Sequence, residues 1–171
     1  MKRFDFHSQL KRGKIGEKTL ISLLKDEYIE YTIKDVSDIE EYKDKDIDIV
    51  MTNKNSGEEM TVEIKSDETN YKSWNIFGEF CSCKRLGTPG WLLKTKADYI
   101  CYAFVNRGCY FMIPREVLLD MIKIYDFRIG EAYDKRKVSQ GYLIPVNLVR
   151  DFINMKDEYK EKFQTAYSLA F

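Results

Sequence analysis

A β-hairpin is predicted by residues 46–66, DIDIVMTNKNSGEEMTVEIKS. Residues 46–52 and 59–66 are predicted strands, and polar and apolar residues alternate in 46–49 and in 59–66, as they do in strands with one buried face. Between them, 53–57 is rich in Asn, Ser and Gly, which favour a turn. The two strands therefore pair with each other, and this hairpin anchors the rest of the fold.

The register of this hairpin brings four charged residues to one face. With the turn centred between Asn55 and Ser56, Asp48 lies opposite Glu63, and Asp46 lies opposite Lys65. Two opposed carboxylates repel each other and destabilise a hairpin. Mg²⁺ can compensate, because it binds one or two carboxylates together with phosphates and waters. The alternative is an ordinary solvated, charged face of a hairpin.

A third carboxylate is predicted on a helix over 8–28. Leu10, Ile21 and Leu24 form its apolar stripe, and Glu17 falls on the same stripe. A charge on a buried stripe needs a partner or a metal. The glycines at 13 and 16 permit close approach to a sheet, so that Glu17 can reach the carboxylates of the hairpin. The alternative is a glutamate at the edge of the stripe.

The remaining periodic segments predict one mixed α/β or α+β domain over 1–171, with a helical portion from about 145. Helices are expected after Pro114 and Pro145, because proline suits the first position of a helix. The further predicted strands are 28–36, 74–81, 97–105, 109–113 and 142–144.

Charge is distributed in blocks although the net charge is zero. Residues 1–25 sum to +5, residues 26–68 to −10 and residues 69–115 to +5. This pattern suits a cation site beside a surface that binds a polyanion, although solvated faces give the same pattern. No apolar run approaches a membrane span, and no signal peptide is evident. We therefore expect a cytoplasmic protein with reduced cysteines.

The sequence resembles the PD-(D/E)XK nuclease superfamily in one pattern of charged residues. Glu17 lies on the predicted first helix, and Asp48 is followed, after 14 intervening residues, by Glu63-Ile64-Lys65. That superfamily includes type II restriction enzymes, Holliday-junction resolvases and phage recombination nucleases. Ile47 stands where the motif often has proline. The segments TPGWLLKTKADY (88–99) and NIFGEF (75–80) also resemble blocks of small prokaryotic and phage members. The resemblance covers about residues 8–115.

The resemblance implies a central mixed sheet flanked by helices and metal-dependent hydrolysis of phosphodiester bonds. Asp48, Glu63 and the carbonyl oxygen of Ile64 would bind Mg²⁺, or Mn²⁺ as a substitute. Lys65 would orient or help deprotonate the attacking water and stabilise charge on the phosphate. Glu17 would be an outer-shell or second-metal ligand. Asp46 is a fallback ligand and Glu79 an auxiliary residue.

Basic residues of the two positive blocks are predicted to contact the phosphates of nucleic acid. These residues are Lys14, Lys72, Lys84, Arg85, Lys94 and Lys96. Nearby aromatic residues such as Trp74 and Trp91 can stack on unpaired bases, or can simply pack in the core.

The leading prediction is a Mg²⁺-dependent endodeoxyribonuclease, with branched DNA among its candidate substrates, acting as a homodimer. One alternative is a catalytically inactive nucleic-acid-binding domain on the same fold. Another is an interaction protein with no nucleic-acid partner.

Overall fold

The computed structural model describes residues 13–68, 73–134 and 137–156, together with Tyr159. Within these residues, nine strands form two sheets, and five helices accompany them. The strands are β1 (Tyr31–Asp35), β2 (Ile49–Asn53), β3 (Glu59–Asp67), β4 (Asn75–Cys83), β5 (Thr88–Pro89), β6 (Tyr99–Phe104), β7 (Cys109–Pro114), β8 (Ile129–Asp134) and β9 (Lys137–Pro145). The helices are α1 (Gly13–Glu27), α2 (Glu40–Lys43), α3 (Trp91–Lys94), α4 (Arg115–Ile124) and α5 (Val146–Met155).

The first sheet has the strand order β1-β2-β3-β6-β7. Its strands pair antiparallel except for β3 and β6, which run parallel, so the sheet is mixed. The connection from β3 to β6 carries β4, β5 and α3, which is long enough for a parallel crossover. The predicted mixed α/β class, with a central mixed sheet and helices, is confirmed.

The second sheet is antiparallel, with the order β5-β4-β9-β8. Strand β4 lies close to the predicted 74–81, but β9 extends well before the predicted 142–144, and β8 was not predicted. The residues of β8 are almost all exposed, so they lack the alternation that marks a strand with one buried face.

The two faces of the first sheet are covered by different elements. On one face, Leu20, Ile21 and Leu24 of α1 pack against Val62 and Ile64 of β3. The opposite face bears Ile100, Tyr102 and Phe104 of β6, which pack with the second sheet, α4 and α5. Side chains alternate along a strand, so Glu63 and Lys65 point toward this second layer and away from α1.

Three of the described helices, α1, α4 and α5, agree with the predicted ones in place, whereas the short helices α2 and α3 were not predicted. Helix α1 occupies the later part of the predicted 8–28, and residues 8–12 lie outside the described residues. Helices α4 and α5 follow Pro114 and Pro145 directly and bury Val117, Leu118, Val149 and Phe152, among others. None of the described helices combines the length and the apolar character needed to cross a membrane.

Candidate active site

The predicted register of the hairpin is confirmed. Ile49 pairs with Val62 and Thr52 pairs with Glu59, which is the alignment that sets Asp48 opposite Glu63. Strand β2 begins at Ile49, so Asp48 lies one residue before the ladder. It is nevertheless tied to β3, because its backbone N–H donates to the Val62 carbonyl at 3.0 Å. Its Oδ2 also accepts a hydrogen bond from the Ile64 N–H at 2.7 Å.

Glu63 is a buried carboxylate, with only 3% of the residue exposed. Its Oε1 forms an ion pair with Lys65 Nζ. Within the described part of the chain, no group donates a hydrogen bond to its other oxygen, Oε2. Burial, followed by the charges of Asp48 and Asp46, raises the pKa of Glu63 to about 8 despite the opposing effect of Lys65. A buried oxygen without a donor is costly, and a bound cation would satisfy it.

Lys65 is half-buried beside this carboxylate. Burial alone would lower its pKa, but the Glu63 carboxylate, together with Asp48 and Asp46, outweighs burial and raises it. Lys65 is therefore a protonated cation whenever Glu63 carries its negative charge. Such a group can orient a water and stabilise negative charge on a phosphate, but it is not poised to accept a proton.

Asp46 does not lie in the strand, which corrects the predicted position opposite Lys65. Its φ of 48° is left-handed, which strands do not use, and this breaks the alternation that the sequence suggested. The Asp46 carboxylate pairs with Lys94 at 2.8 Å, and its carbonyl accepts from the Thr95 hydroxyl at 2.7 Å. Asp46 still acts on the site through its charge, which contributes to the raised pKa of Glu63 and of Lys65.

Glu17 lies on α1, which covers the opposite face of the first sheet. It is half-buried and precedes Leu20 and Ile21 by one turn, in agreement with its predicted place on the apolar stripe. A role for Glu17 at the metal site stays a prediction.

The oxygen donors fit Mg²⁺ rather than a softer metal. Among residues 13–68, 73–134 and 137–156, no group of three or more His, Cys, Asp or Glu side chains forms a metal cluster by itself. Asp48 and Glu63 instead supply two carboxylates, one with an unsatisfied buried oxygen. Mg²⁺ commonly takes one or two protein carboxylates and completes its shell with water and substrate phosphates. The role of the Ile64 carbonyl stays a prediction.

The predicted DNA-contacting residues are spread over both layers. Lys84 pairs with Glu131 of the second sheet at 2.8 Å, whereas Lys94 pairs with Asp46 beside the site. Arg85 and Lys96 are exposed, and Lys96 lines a cavity of about 640 Å³. Lys72 and the side chain of Lys14 lie outside the described residues.

Glu79 is half-buried on β4, in the second layer. Gly90 approaches its backbone so closely that an added Cβ would lie 2.3 Å from the Glu79 carbonyl oxygen. The Gly90 N–H donates to the Phe80 carbonyl at 2.9 Å, which ties β4 to the start of α3. An auxiliary chemical role for Glu79 stays a prediction.

Two positioning contacts were not predicted from the sequence. Thr95 is fully buried, and its hydroxyl donates to Asp46 and accepts from the Ala97 N–H at 3.1 Å. Tyr102, which pairs in register with Lys65, donates its hydroxyl to Asp67 at 3.0 Å. The polar Thr95 within the quoted 88–99 segment was a usable signal, whereas Tyr102 is indistinguishable from a core residue in the sequence.

A comparison with protein-family models gives no match for this chain, and searches of curated proteins and of solved structures give none either. The resemblance to the PD-(D/E)XK superfamily therefore rests on the residues and contacts described above.

Proposed function

We propose that this protein is a metal-dependent deoxyribonuclease that hydrolyses phosphodiester bonds in the manner of PD-(D/E)XK enzymes. One observation carries the proposal: the buried Glu63 carboxylate has an oxygen without a hydrogen-bond donor among the described residues, next to Asp48 and Lys65. Burial raises the pKa of this carboxylate to about 8, and strongly shifted carboxylates are concentrated at functional sites.

The proposed roles follow from the position and charge of each group. Asp48 and Glu63 would hold Mg²⁺, which lowers the pKa of a bound water and neutralises charge on the phosphate. Lys65 is held as a cation by Glu63 and would stabilise the negative charge that develops on the phosphate oxygens. The Ile64 N–H fixes the Asp48 carboxylate in place, so this ligand is oriented before substrate arrives.

A catalytically inactive nucleic-acid-binding domain is the second candidate. The ion pair between Glu63 and Lys65 favours it, because Lys65 partly neutralises the carboxylate without any metal. The two candidates differ in one requirement: only the nuclease needs Mg²⁺ at Glu63.

A gel cleavage assay tests the proposal. Wild type, Lys65→Ala and Lys123→Ala would be incubated with linear duplex, single-stranded and four-way-junction DNA, in Mg²⁺, Mn²⁺ or EDTA. Lys123 is exposed on α4 and pairs with Asp120 at 2.9 Å, so it serves as a matched lysine control. We expect metal-dependent cutting by wild type and Lys123→Ala, and none by Lys65→Ala. Cutting by Lys65→Ala at the wild-type rate would contradict the proposal, and DNA binding without cutting would favour the second candidate.

A further inference from the structure

Trp74 is held rigidly although it is exposed. It precedes β4, and 44% of the residue is accessible to solvent. The Arg107 guanidinium lies over its ring, 4.0 Å from the centroid. The rings of Phe104 and Phe111 meet it edge to face, with centroids at 5.4 and 6.3 Å. The Trp74 carbonyl also accepts a hydrogen bond from the Val146 N–H at 2.8 Å. The ring is therefore in contact with Arg107 and two phenylalanine rings, while 44% of the residue remains open to solvent.

This aromatic group continues the row of side chains that contains the candidate site. In the parallel pair of β3 and β6, Lys65 is in register with Tyr102, and Asp67 is in register with Phe104. Alternate residues share a face, so Phe104 lies one step beyond Lys65 on the same face, about 6–7 Å along the strands. Trp74 packs on Phe104 and consequently stands at the carboxyl ends of these strands, beyond Lys65 by one alternate position and beyond Glu63 by two.

The composition of this platform, defined as Trp74 with Arg107, suits a nucleobase. An aromatic ring that is partly open to solvent can stack on an unpaired base whatever its identity, and arginine adds an attractive contact to the ring and to phosphate. Bases inside a duplex are already stacked on each other and do not present a face to such a ring. Such a platform would distinguish single-stranded from double-stranded DNA, and would not distinguish one base sequence from another.

We propose that Trp74, supported by Arg107, stacks on an unpaired base of a single-stranded DNA segment that leads into the site at Glu63 and Lys65. This inference rests on the proposed nuclease function for its biological meaning, and it narrows the substrate to DNA that contains unpaired nucleotides. Binding through Trp74 is nevertheless measurable without any cleavage.

The test measures the affinity of the full chain for fluorescein-labelled DNA by anisotropy. The two probes are single-stranded oligodeoxythymidine and a blunt duplex, each in EDTA and again with Ca²⁺, which also binds carboxylate oxygens. The variants are Trp74→Ala, Trp74→Phe and Tyr133→Ala. Tyr133 is 76% exposed on β8, so Tyr133→Ala is a matched loss of an exposed aromatic ring elsewhere. Circular dichroism of each variant verifies that it is folded.

We expect Trp74→Ala to weaken single-strand binding by about 5- to 150-fold, the range for one base stacked on an aromatic ring. Trp74→Phe should restore much of the affinity, and Tyr133→Ala should bind as wild type does. Duplex affinity should be unchanged in all variants. The inference would be overturned if Trp74→Ala bound single-stranded DNA as tightly as wild type does, or if it lost affinity for the duplex in parallel. It would also be overturned if wild type did not bind single-stranded DNA.

The same variants separate this inference from the proposed function. If binding depended on Trp74 but no DNA were cleaved in Mg²⁺, the role of Trp74 would stand and the proposed nuclease function would be overturned. Conversely, wild type and Trp74→Ala could cut single-stranded DNA equally well, in a reaction that requires Lys65. That result would support the proposed nuclease function and overturn the role of Trp74.

Discussion

Replacing Tyr102 with phenylalanine tests the hydrogen bonds that join the two sheets next to the candidate site. Tyr102 belongs to β6 of the first sheet and is only 3% exposed. Its hydroxyl accepts from the backbone N–H of Phe77, in β4 of the second sheet, at 3.0 Å. It donates to Asp67 Oδ2, also at 3.0 Å. Burial raises the pKa of Tyr102, so the hydroxyl keeps its proton at any ordinary pH.

The substitution keeps the ring and its packing but removes both hydrogen bonds. The N–H of Phe77 loses its acceptor, and an unsatisfied buried donor costs about 1–3 kcal/mol. We therefore expect the free energy of unfolding to fall by about 1–3 kcal/mol. For a chain of this size, each kcal/mol lowers the melting temperature by about 2–4 °C, so the total shift is about 2–12 °C.

Urea unfolding followed by circular dichroism measures the loss, with Tyr133→Phe as a matched control. The Tyr133 hydroxyl also donates to a carboxylate, that of Glu131 at 2.7 Å, but Tyr133 is 76% exposed. Because water replaces that bond, the control should lose less than about 0.5 kcal/mol. The urea midpoint should fall for Tyr102→Phe with an unchanged slope. Equal midpoints for the two variants would refute the inference that Tyr102 joins the sheets.

Three further predictions concern the site and its support. Asp48→Asn should abolish Mg²⁺ binding in a calorimetric titration while keeping an acceptor for the Ile64 N–H, and an unchanged titration would count against the site. In EDTA, wild type should lose stability as pH rises from about 4.5 to about 8, because the folded protein keeps a proton on Glu63 that the unfolded chain releases. Glu63→Gln should lack the part of this loss of stability that comes from Glu63. If the urea midpoints of the two proteins changed in parallel with pH, the raised pKa of Glu63 would be contradicted. Gly90→Ala should lower stability by about 1–3 kcal/mol, since its Cβ would lie 2.3 Å from the Glu79 carbonyl oxygen; an unchanged melting temperature would exclude this close contact.

The hairpin could be predicted from the sequence because its information is local. Alternation in 46–49 and 59–66 assigns the faces, and the turn between the two strands determines which residues pair. Ile49 and Val62 meet as the turn position predicted. The prediction was wrong at Asp46, which has a left-handed φ, and the strand begins only at Ile49. That conformation is associated with contacts from Lys94 and Thr95, which lie almost 50 residues away and leave no trace in the local pattern.

The second sheet could not be predicted for a related reason. Strand β4 pairs with β9, and the aligned residues Ile76 and Ile144 are far apart in the sequence. Each strand resembles an isolated apolar segment until its partner is known. The exposed β8 adds almost no alternation, because neither of its faces lies in the core.

This second layer determines what the hairpin carboxylates can do. The sequence Asp-Ile-Asp-Ile followed by Val-Glu-Ile-Lys is equally consistent with a hairpin that is open to water on its charged face. In that case Glu63 would be solvated, its pKa would be ordinary, and a cation would gain little by binding it. In the structure, the face that bears Glu63 also bears the fully buried Ile100, in register with it, and the second sheet and two helices cover that face. Burial raises the pKa of Glu63 and leaves one oxygen without a donor among the described residues, which is the oxygen that the proposed cation would contact. The chemistry of the candidate site therefore depends on residues from 75 onward, although its acidic and basic groups are encoded between 46 and 66.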